Sequence, residues 1–451
     1  MSITAIVFLF IFIMGCLAAF FIDPSYGISL YIFEYFLNPA QRWWGWAIRD
    51  VRFAYIIGIV IIIGYVLRSK EYSNNRVFSA PQTKWLLLLV IVIILTWPFA
   101  VWQDAHQKFM IIFIKYFLLY VFTIKIIDTP QKFNRLMGVF LLGQFYLGWL
   151  AYEYGRSGGS RLEKLGGADS RDANGTAAVM IVAVPIALNY LITGKKWQKI
   201  CVLPILVFIL NAIILLNSRG AFVGLIVSLA YYLFFSFKAP SFPKFNKKNV
   251  FIGFAAGIVL FMYLADPVFL DRMKTITTPE EEIQGYTGRE RVEYWFYTFD
   301  MLKDHPFGTG VAGFNYLSQY YLPHKYLGAR GRAVHSMYFE VLSEYSYHGF
   351  LIFMIFLSSN FGYLRRLRKS LIQKQIYEPY YMALALESGF LSVLIAGVFV
   401  DSFYLEINYW LAAYFAAYGN IYFKEMKRMD EIDFKDQERP REVNLRMMGG
   451  Y

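Results

Sequence analysis

The chain is built of long apolar runs parted by short polar breaks. The runs lie near 1–22, 53–67, 85–101, 107–127, 135–153, 174–192, 199–217, 220–237, 249–265, 337–363, 380–400 and 404–423. Many measure about 17 to 22 residues, enough for a helix to cross a hydrocarbon core of roughly 30 Å. The pattern predicts an all-α polytopic membrane protein of about twelve transmembrane helices, one per run. A shorter run, 25–37, ends in LNPAQRWWGW. At that length it predicts a re-entrant or interfacial segment within 25–52, with Trp43, Trp44 and Trp46 at headgroup depth. The break at 266–336 is too long for a passive connector and should hold short helices, one around 289–304. The expected organisation is an N-terminal transmembrane bundle over 1–265, a large loop over 266–336, C-terminal transmembrane helices over 337–423 and a tail over 424–451.

The polar breaks divide by charge. Four Lys or Arg fall in 68–84, three in 194–199, four in 238–248 and five in 364–379, including RRLRK. These breaks alternate consistently along the chain, so the excess of positive charge on the inner side assigns them, and the tail, to the cytoplasm. The breaks at 154–173 (YGRSGGSRLEKLGGADSRDA), 217–220 (NSRG) and 266–336 then face outward. Composition agrees: 57% hydrophobic, 20% aromatic and 17% charged residues is too apolar for a soluble domain. The net charge of +12 is accounted for by the basic breaks and calls for no nucleic acid. Cys16 and Cys201 both lie in apolar runs and form no disulfide framework or metal-type spacing. IMGC, ending at Cys16, faintly resembles a lipoprotein cleavage box, but no basic region precedes it, so 1–22 is read as a retained span.

Candidate chemistry gathers on the outward side. The positive-inside bias should deplete arginine there, yet Arg156, Arg161, Arg171, Arg219, Arg289, Arg291, Arg330 and Arg332 all fall on it. Arg219 sits between two spans, with Gly220 able to take a left-handed cap conformation, which would hold the guanidinium at the outer membrane boundary. Guanidinium presents a fork of donors matched to phosphate oxygens, and a diphosphate at that depth belongs naturally to a polyprenyl lipid. A snorkelling interface arginine has the same sequence signature. In TGRERVEYWFYTFDMLKDHPFGTGVAGF (287–314), Arg291, Trp295 and Phe299 follow helical i, i+4 spacing. In GRAVHSMYFEVLSEY (331–345), His335 opens the next span, while Glu340 and Glu344 share one helix face at membrane depth. Imidazole suits proton transfer near neutral pH, although a capping histidine reads identically. His305 reads as a turn residue, His324 and His348 as structural or interfacial, and His106 as part of a short outward turn. There is no Cys/His cluster, HExxH, GxSxG or P-loop, and the outward loops contain no Asp-x-Asp pair for a divalent metal. No cofactor and no metal site are therefore expected, and a donor would have to carry its own leaving group.

LLNSRGAFVGLIVSL (215–229), RVEYW…LKDHPFGTGVAGF (291–314) and AVHSMYFEVLSEYSYHGFLIFM (333–354), in that order around a long late loop, resemble the bacterial O-antigen ligase/polymerase superfamily. The similarity reaches LNPAQRWWGW and DSRDANGTAAVMIVAVPIAL (169–188), which look like the branch of O-glycosylation ligases. The resemblance implies a GT-C-like glycosyltransferase of about twelve spans. It would take a glycan from undecaprenyl diphosphate to lipid A–core or another hydroxyl acceptor, without metal. Related members polymerise lipid-linked glycans or glycosylate protein hydroxyls, and a lipid-linked glycan flippase is the alternative outside enzymes. His335 matches the family's histidine after the large loop, and Arg219 the arginine of its SRG turn. Spacing to tryptophan selects Arg291, while the preceding glycine favours Arg289. Asn174 matches a recurrent asparagine. Arg161, Arg171, Arg332 and Glu340 are further candidates for holding diphosphate or acceptor. Ser346 stands where relatives usually show glycine.

Overall fold

The computed structural model describes residues 1–156, 158–163, 165–166, 172–240, 247–276, 288–324, 327 and 331–448. The order is α1 (Ile3–Phe21), α2 (Ser25–Leu37), α3 (Phe53–Leu67), α4 (Gln82–Thr96), α5 (Gln103–Ile126), α6 (Pro130–Tyr154), α7 (Ala173–Ile181), α8 (Ala183–Thr193) and α9 (Lys196–Leu216). It continues with α10 (Arg219–Lys238), α11 (Lys247–Leu264), α12 (Pro267–Lys274), α13 (Gly288–Asp304), α14 (Gly313–Tyr321), α15 (Met337–Gln373), α16 (Tyr377–Ala396) and α17 (Ile407–Met448). No strand occurs among the described residues. The protein is an all-α polytopic membrane protein. Every apolar run falls on a helix, the run 174–192 on the pair α7–α8. Among the described residues eight helices are long and apolar enough to cross a membrane, or nine if α11 and α12, bent by 104°, are one broken span.

The helices before and after the large loop interlock. α16 packs on α8, α10, α15 and α17, and α17 also packs on α5. Close approach of α10 to α16 depends on Gly224, where a Cβ would come 2.4 Å from the Ser392 carbonyl oxygen. α2 packs into the bundle. Eight of its thirteen residues are buried, it packs on α1, α3 and α6, and Tyr35 and Phe36 meet Trp410 edge-on. Trp43 and Trp46 are exposed, as headgroup residues would be, but Trp44 turns inward onto Phe8. His106 is likewise buried, in the first turn of α5 rather than an outward turn. Its Nε2 lies 2.8 Å from the Ile93 carbonyl oxygen and its Nδ1 accepts from Val311 N–H at 3.2 Å.

Two polar breaks prove helical. α15 carries RRLRK as its last turns, and Arg368 faces inward to pair with Glu387 at 2.7 Å, with the Tyr231 hydroxyl donating to Glu387 at 2.9 Å. α17 continues through the expected tail boundary at Lys424 to Met448.

α15 is also broken. Ser346 sits inside it with φ 58° and ψ −171°, a conformation natural to glycine, which this chain fills with serine. The loop HPFGTG locks into the break. Ser346 Oγ donates to the Pro306 carbonyl at 2.7 Å, Thr309 N–H to the Ser343 carbonyl at 2.9 Å and Gly310 N–H to the Glu344 carbonyl at 3.0 Å. Gly308 is required there, because its φ is 97° and a Cβ would lie 2.3 Å from the Glu344 carbonyl oxygen.

Candidate active site

His335 lies two residues before α15, outside the helix it was expected to start. Its φ of 55° is in the left-handed region, which costs a non-glycine residue about 1–2 kcal/mol. Neighbouring bonds hold it there. Ser336 N–H donates to Asp401 Oδ1 at 2.9 Å, and Met337 N–H to the Gly397 carbonyl at 2.7 Å. The imidazole thereby faces Asp401, with Nδ1 3.7 Å from Oδ2, too long for a hydrogen bond but close for an ion contact. Strained backbone of this kind clusters at functional sites.

The electrostatics follow from burial and nearby cations. Burial lowers the His335 pKa to about 4; Arg291 and Arg332 add to the fall, and Asp172 opposes it. Burial raises Asp401 to about 6, aided by Asp172 and opposed by the Ser336 N–H and Arg291. At pH 7 the pair is therefore a neutral imidazole beside a carboxylate. Such a histidine is free to accept a proton, and the carboxylate stabilises the imidazolium that forms.

Arg291 reaches this pair from α13. One turn on, Trp295 stacks on Phe339 at 5.0 Å and donates from Nε1 to the Val334 carbonyl at 3.1 Å, which pins α13 against the chain entering α15. Arg291 Nη1 donates to the Phe399 carbonyl at 3.2 Å, two residues before Asp401. The expected i, i+4 register is what aims it there.

Arg219 begins α10 on the same patch. The left-handed turn before it falls on Asn217, with φ 51°, and not on Gly220. Asn217 turns the chain because its amide reaches back to the Ser160 carbonyl at 3.0 Å, and Asn tolerates this conformation. Gly220 is instead helical, and a Cβ on it would lie 3.3 Å from Phe399 Cβ. Phe399 thus touches the Arg219 turn and bonds Arg291. Arg219 Nη1 donates to Thr275 Oγ1 at 2.8 Å, next to the end of α12.

The described residues of the loop before α7, and Asn174 in its first turn, are moored alongside. Asn174 Oδ1 accepts from Arg161 Nη2 at 2.7 Å and from Ser218 Oγ at 2.9 Å. Arg161 Nε also bonds the Leu216 carbonyl at 3.3 Å, and Arg156 bonds the Ile214 carbonyl at 2.6 Å and pairs with Asp266. These arginines satisfy the open carbonyls at the end of α9, a favourable place for cations. Arg332 is fixed by its N–H on Ser318 Oγ at 2.8 Å. Arg171 and the Arg289 side chain lie outside the described residues.

The two glutamates of α15 hold loops. Glu340 Oε2 accepts the Phe403 N–H at 3.0 Å, steadying the turn that carries Asp401. Glu344 accepts the Ala312 N–H at 2.7 Å and the Tyr404 hydroxyl. Among the described residues, no three His, Cys, Asp or Glu side chains converge as a metal-ligand group.

Asp401 and Asp172 were not singled out from sequence. Asp172 caps α7, accepting the Gly175 N–H at 2.8 Å, and acts on His335 through its charge. Asp401 had one signal, a lone carboxylate ending the apolar run 380–400.

The fold defines a polytopic membrane protein in which His335, Asp401, Arg219 and Arg291 gather around the Phe399–Asp401 turn. Residues 204–357 match the family model described as O-antigen ligase (Wzy_C), a match that contains Arg219, Arg291, His335, Glu340 and Glu344. It supports membership of the O-antigen ligase superfamily and an O-antigen ligase/polymerase-type membrane enzyme. No curated protein matches the chain.

Proposed function

We propose that this protein transfers a glycan from undecaprenyl diphosphate to a hydroxyl acceptor such as lipid A–core, at the periplasmic face of the bacterial inner membrane. The observation that carries this reading is His335, facing Asp401 at 3.7 Å and neutral at pH 7 in the field of Arg291. Nδ1 faces Asp401, so Nε2 takes the proton of the attacking hydroxyl. The acceptor oxygen bonds the anomeric carbon while the carbon–phosphate oxygen bond breaks. The diphosphate leaves with the bonding electrons, and the configuration inverts. Arg219 and Arg291 meet the charge that grows on the leaving group, with Arg289 as a further donor on the same helix. Burial is the main cause of the low His335 pKa, and the incoming diphosphate offsets the lesser one, the charge of Arg291 and Arg332, which makes His335 a better base. Asn174, Arg161 and Arg332 border the donor or acceptor path, Arg171 is a further candidate for it from the sequence, and Glu340 positions the Asp401 turn. The scaffold is GT-C-like, with the C-terminus in the cytoplasm, and the reaction needs no metal.

The test is glycan transfer with purified lipid-linked donor and acceptor. His335→Ala should lower the rate by roughly 10²–10⁴-fold, the usual contribution of a general base. Full activity in that variant at normal expression overturns the base, unchanged donor affinity and rate in Arg219→Ala overturn the clamp, and loss of activity in excess EDTA overturns the metal-free step. A single block on a distinct acceptor indicates a ligase, whereas a ladder of repeats from donor alone indicates a polymerase.

A further inference from the structure

A second polar site lies at the opposite end of α15. A groove of about 710 Å³ opens between the 74–79 loop, the last turns of α15 and the middle of α17. Its walls carry five cations, Arg76, Arg366, Lys369, Lys424 and Lys427, and no acidic residue among those described. Among the described residues, the one acid paired with these cations is Glu431, 3.9 Å from Lys427 and largely exposed. Such a concentration of like charge repels itself unless an anion sits within it.

The floor is preorganised. Asn420 Oδ1 accepts from Ser79 Oγ at 2.8 Å and from the Tyr363 hydroxyl at 3.1 Å, and Asn420 Nδ2 donates to the Arg76 carbonyl at 3.3 Å. Gly419 makes room for this, because a Cβ there would lie 2.2 Å from the Tyr363 ring. The network fixes the Arg76 backbone against α17. Arg366 lies over the Tyr363 ring at 6.0 Å.

Depth identifies the occupant. Beyond its break at Ser346, α15 rises about 26 Å to Tyr363 at 1.5 Å per residue, and the turns from Met337 to the break add to the depth, so together they match the roughly 30 Å of a hydrocarbon core. With Met337 at one boundary, the groove opens at the headgroup level of the far leaflet. Phe78, beside Arg76, is 66% exposed, and Phe423 lines the same groove. Cations above an apolar lip match a phosphate ester on an acyl chain.

We propose that this groove binds the phosphate headgroup of an anionic phospholipid of the leaflet opposite the His335 site. It is separate from the transfer chemistry and stands or falls without it. The probe is phosphatidylglycerol, titrated against phosphatidylcholine onto the full chain in detergent, with retained lipid counted by native mass spectrometry. The variant is Arg76→Gln with Arg366→Gln and Lys369→Gln. At about fivefold per cation removed near an anionic partner, its affinity should fall roughly 100-fold. Lys195→Gln with Lys196→Gln and Lys199→Gln removes the same charge from the α8–α9 turn and should leave binding intact. Exchange to Arg76→Lys, Arg366→Lys and Lys369→Arg should restore it. Equal retention by wild type and the groove variant, or equal loss in both triple variants, overturns the site. If inorganic phosphate at millimolar concentration displaces the lipid fully, the occupant is a soluble phosphate and the lipid assignment is overturned.

Discussion

Replacing Asp401 by Asn separates the charge of this residue from its shape. An amide oxygen can still accept the Ser336 N–H that Asp401 Oδ1 takes at 2.9 Å, so the left-handed turn at His335 should persist. What is lost is the negative charge 3.7 Å from His335 Nδ1. Two unit charges about 4 Å apart attract by about 4 kcal/mol at an effective dielectric of 20 and about 1 kcal/mol in water. The side chains are 33% and 26% exposed, so the pair sits between these limits. A loss of about 2 kcal/mol in the protonated state of His335 corresponds to roughly 30-fold in kcat. The pH profile adds an independent reading. In the free protein His335 and Asp401 lose their protons near pH 4 and 6, so kcat/KM should rise with pH across that interval. In Asp401→Asn only the histidine remains, without its counter-charge, and the acid limb should move to lower pH. Steady-state transfer across pH 4–8, with thermal unfolding as a folding control, measures both. A kcat within twofold of wild type together with an unmoved acid limb would refute the reasoning.

Trp295→Ala removes the Phe339 stack and the Val334 hydrogen bond that register α13, and through them Arg291. Misplacement on the ångström scale should cost about 10²-fold in kcat/KM for the lipid-linked donor. Ser346→Gly should leave thermal stability within about 1 kcal/mol, since relief of the left-handed backbone offsets the lost bond to Pro306. Ser346→Val, β-branched at the same φ, should be destabilised by about 2 kcal/mol or more, read by thermal scanning in detergent. Glu344→Leu strands the Ala312 N–H, worth about 1–3 kcal/mol, and leaves the Tyr404 hydroxyl only its Tyr345 partner, so it should lower the melting temperature more than Glu344→Gln does.

The helices were legible because lipid leaves a spanning chain no other backbone solution, so each apolar run had to become a helix. Arg291 was legible for a related reason: its spacing to Trp295 is local, and a helix converts that spacing into direction. Features set by distant segments were not. His335 and Asp401 meet across α15 and α16, and nothing beside Asp401 in VFVDSF marks a histidine as its partner. The left-handed turn passed to Asn217 rather than Gly220 because of the Ser160 carbonyl, again a distant group. RRLRK reads as a loop by charge, yet Arg368 turns inward because Glu387 waits on α16.

The break at Ser346 has a mechanical consequence. An unbroken α15 would be one rod joining the histidine site to the basic groove. Interrupted, it is two rods with a pivot, and the outer rod is fastened sideways, to Pro306, Thr309 and Gly310, as much as to its own continuation. The segment that presents His335 is therefore not held in line with the long rod that follows the break. The loop fastening the outer rod follows directly on α13, so that rod and the Arg291 helix are tied to each other by the same few hydrogen bonds, and the break lets that tie, rather than the rest of α15, set how His335 and Arg291 sit together.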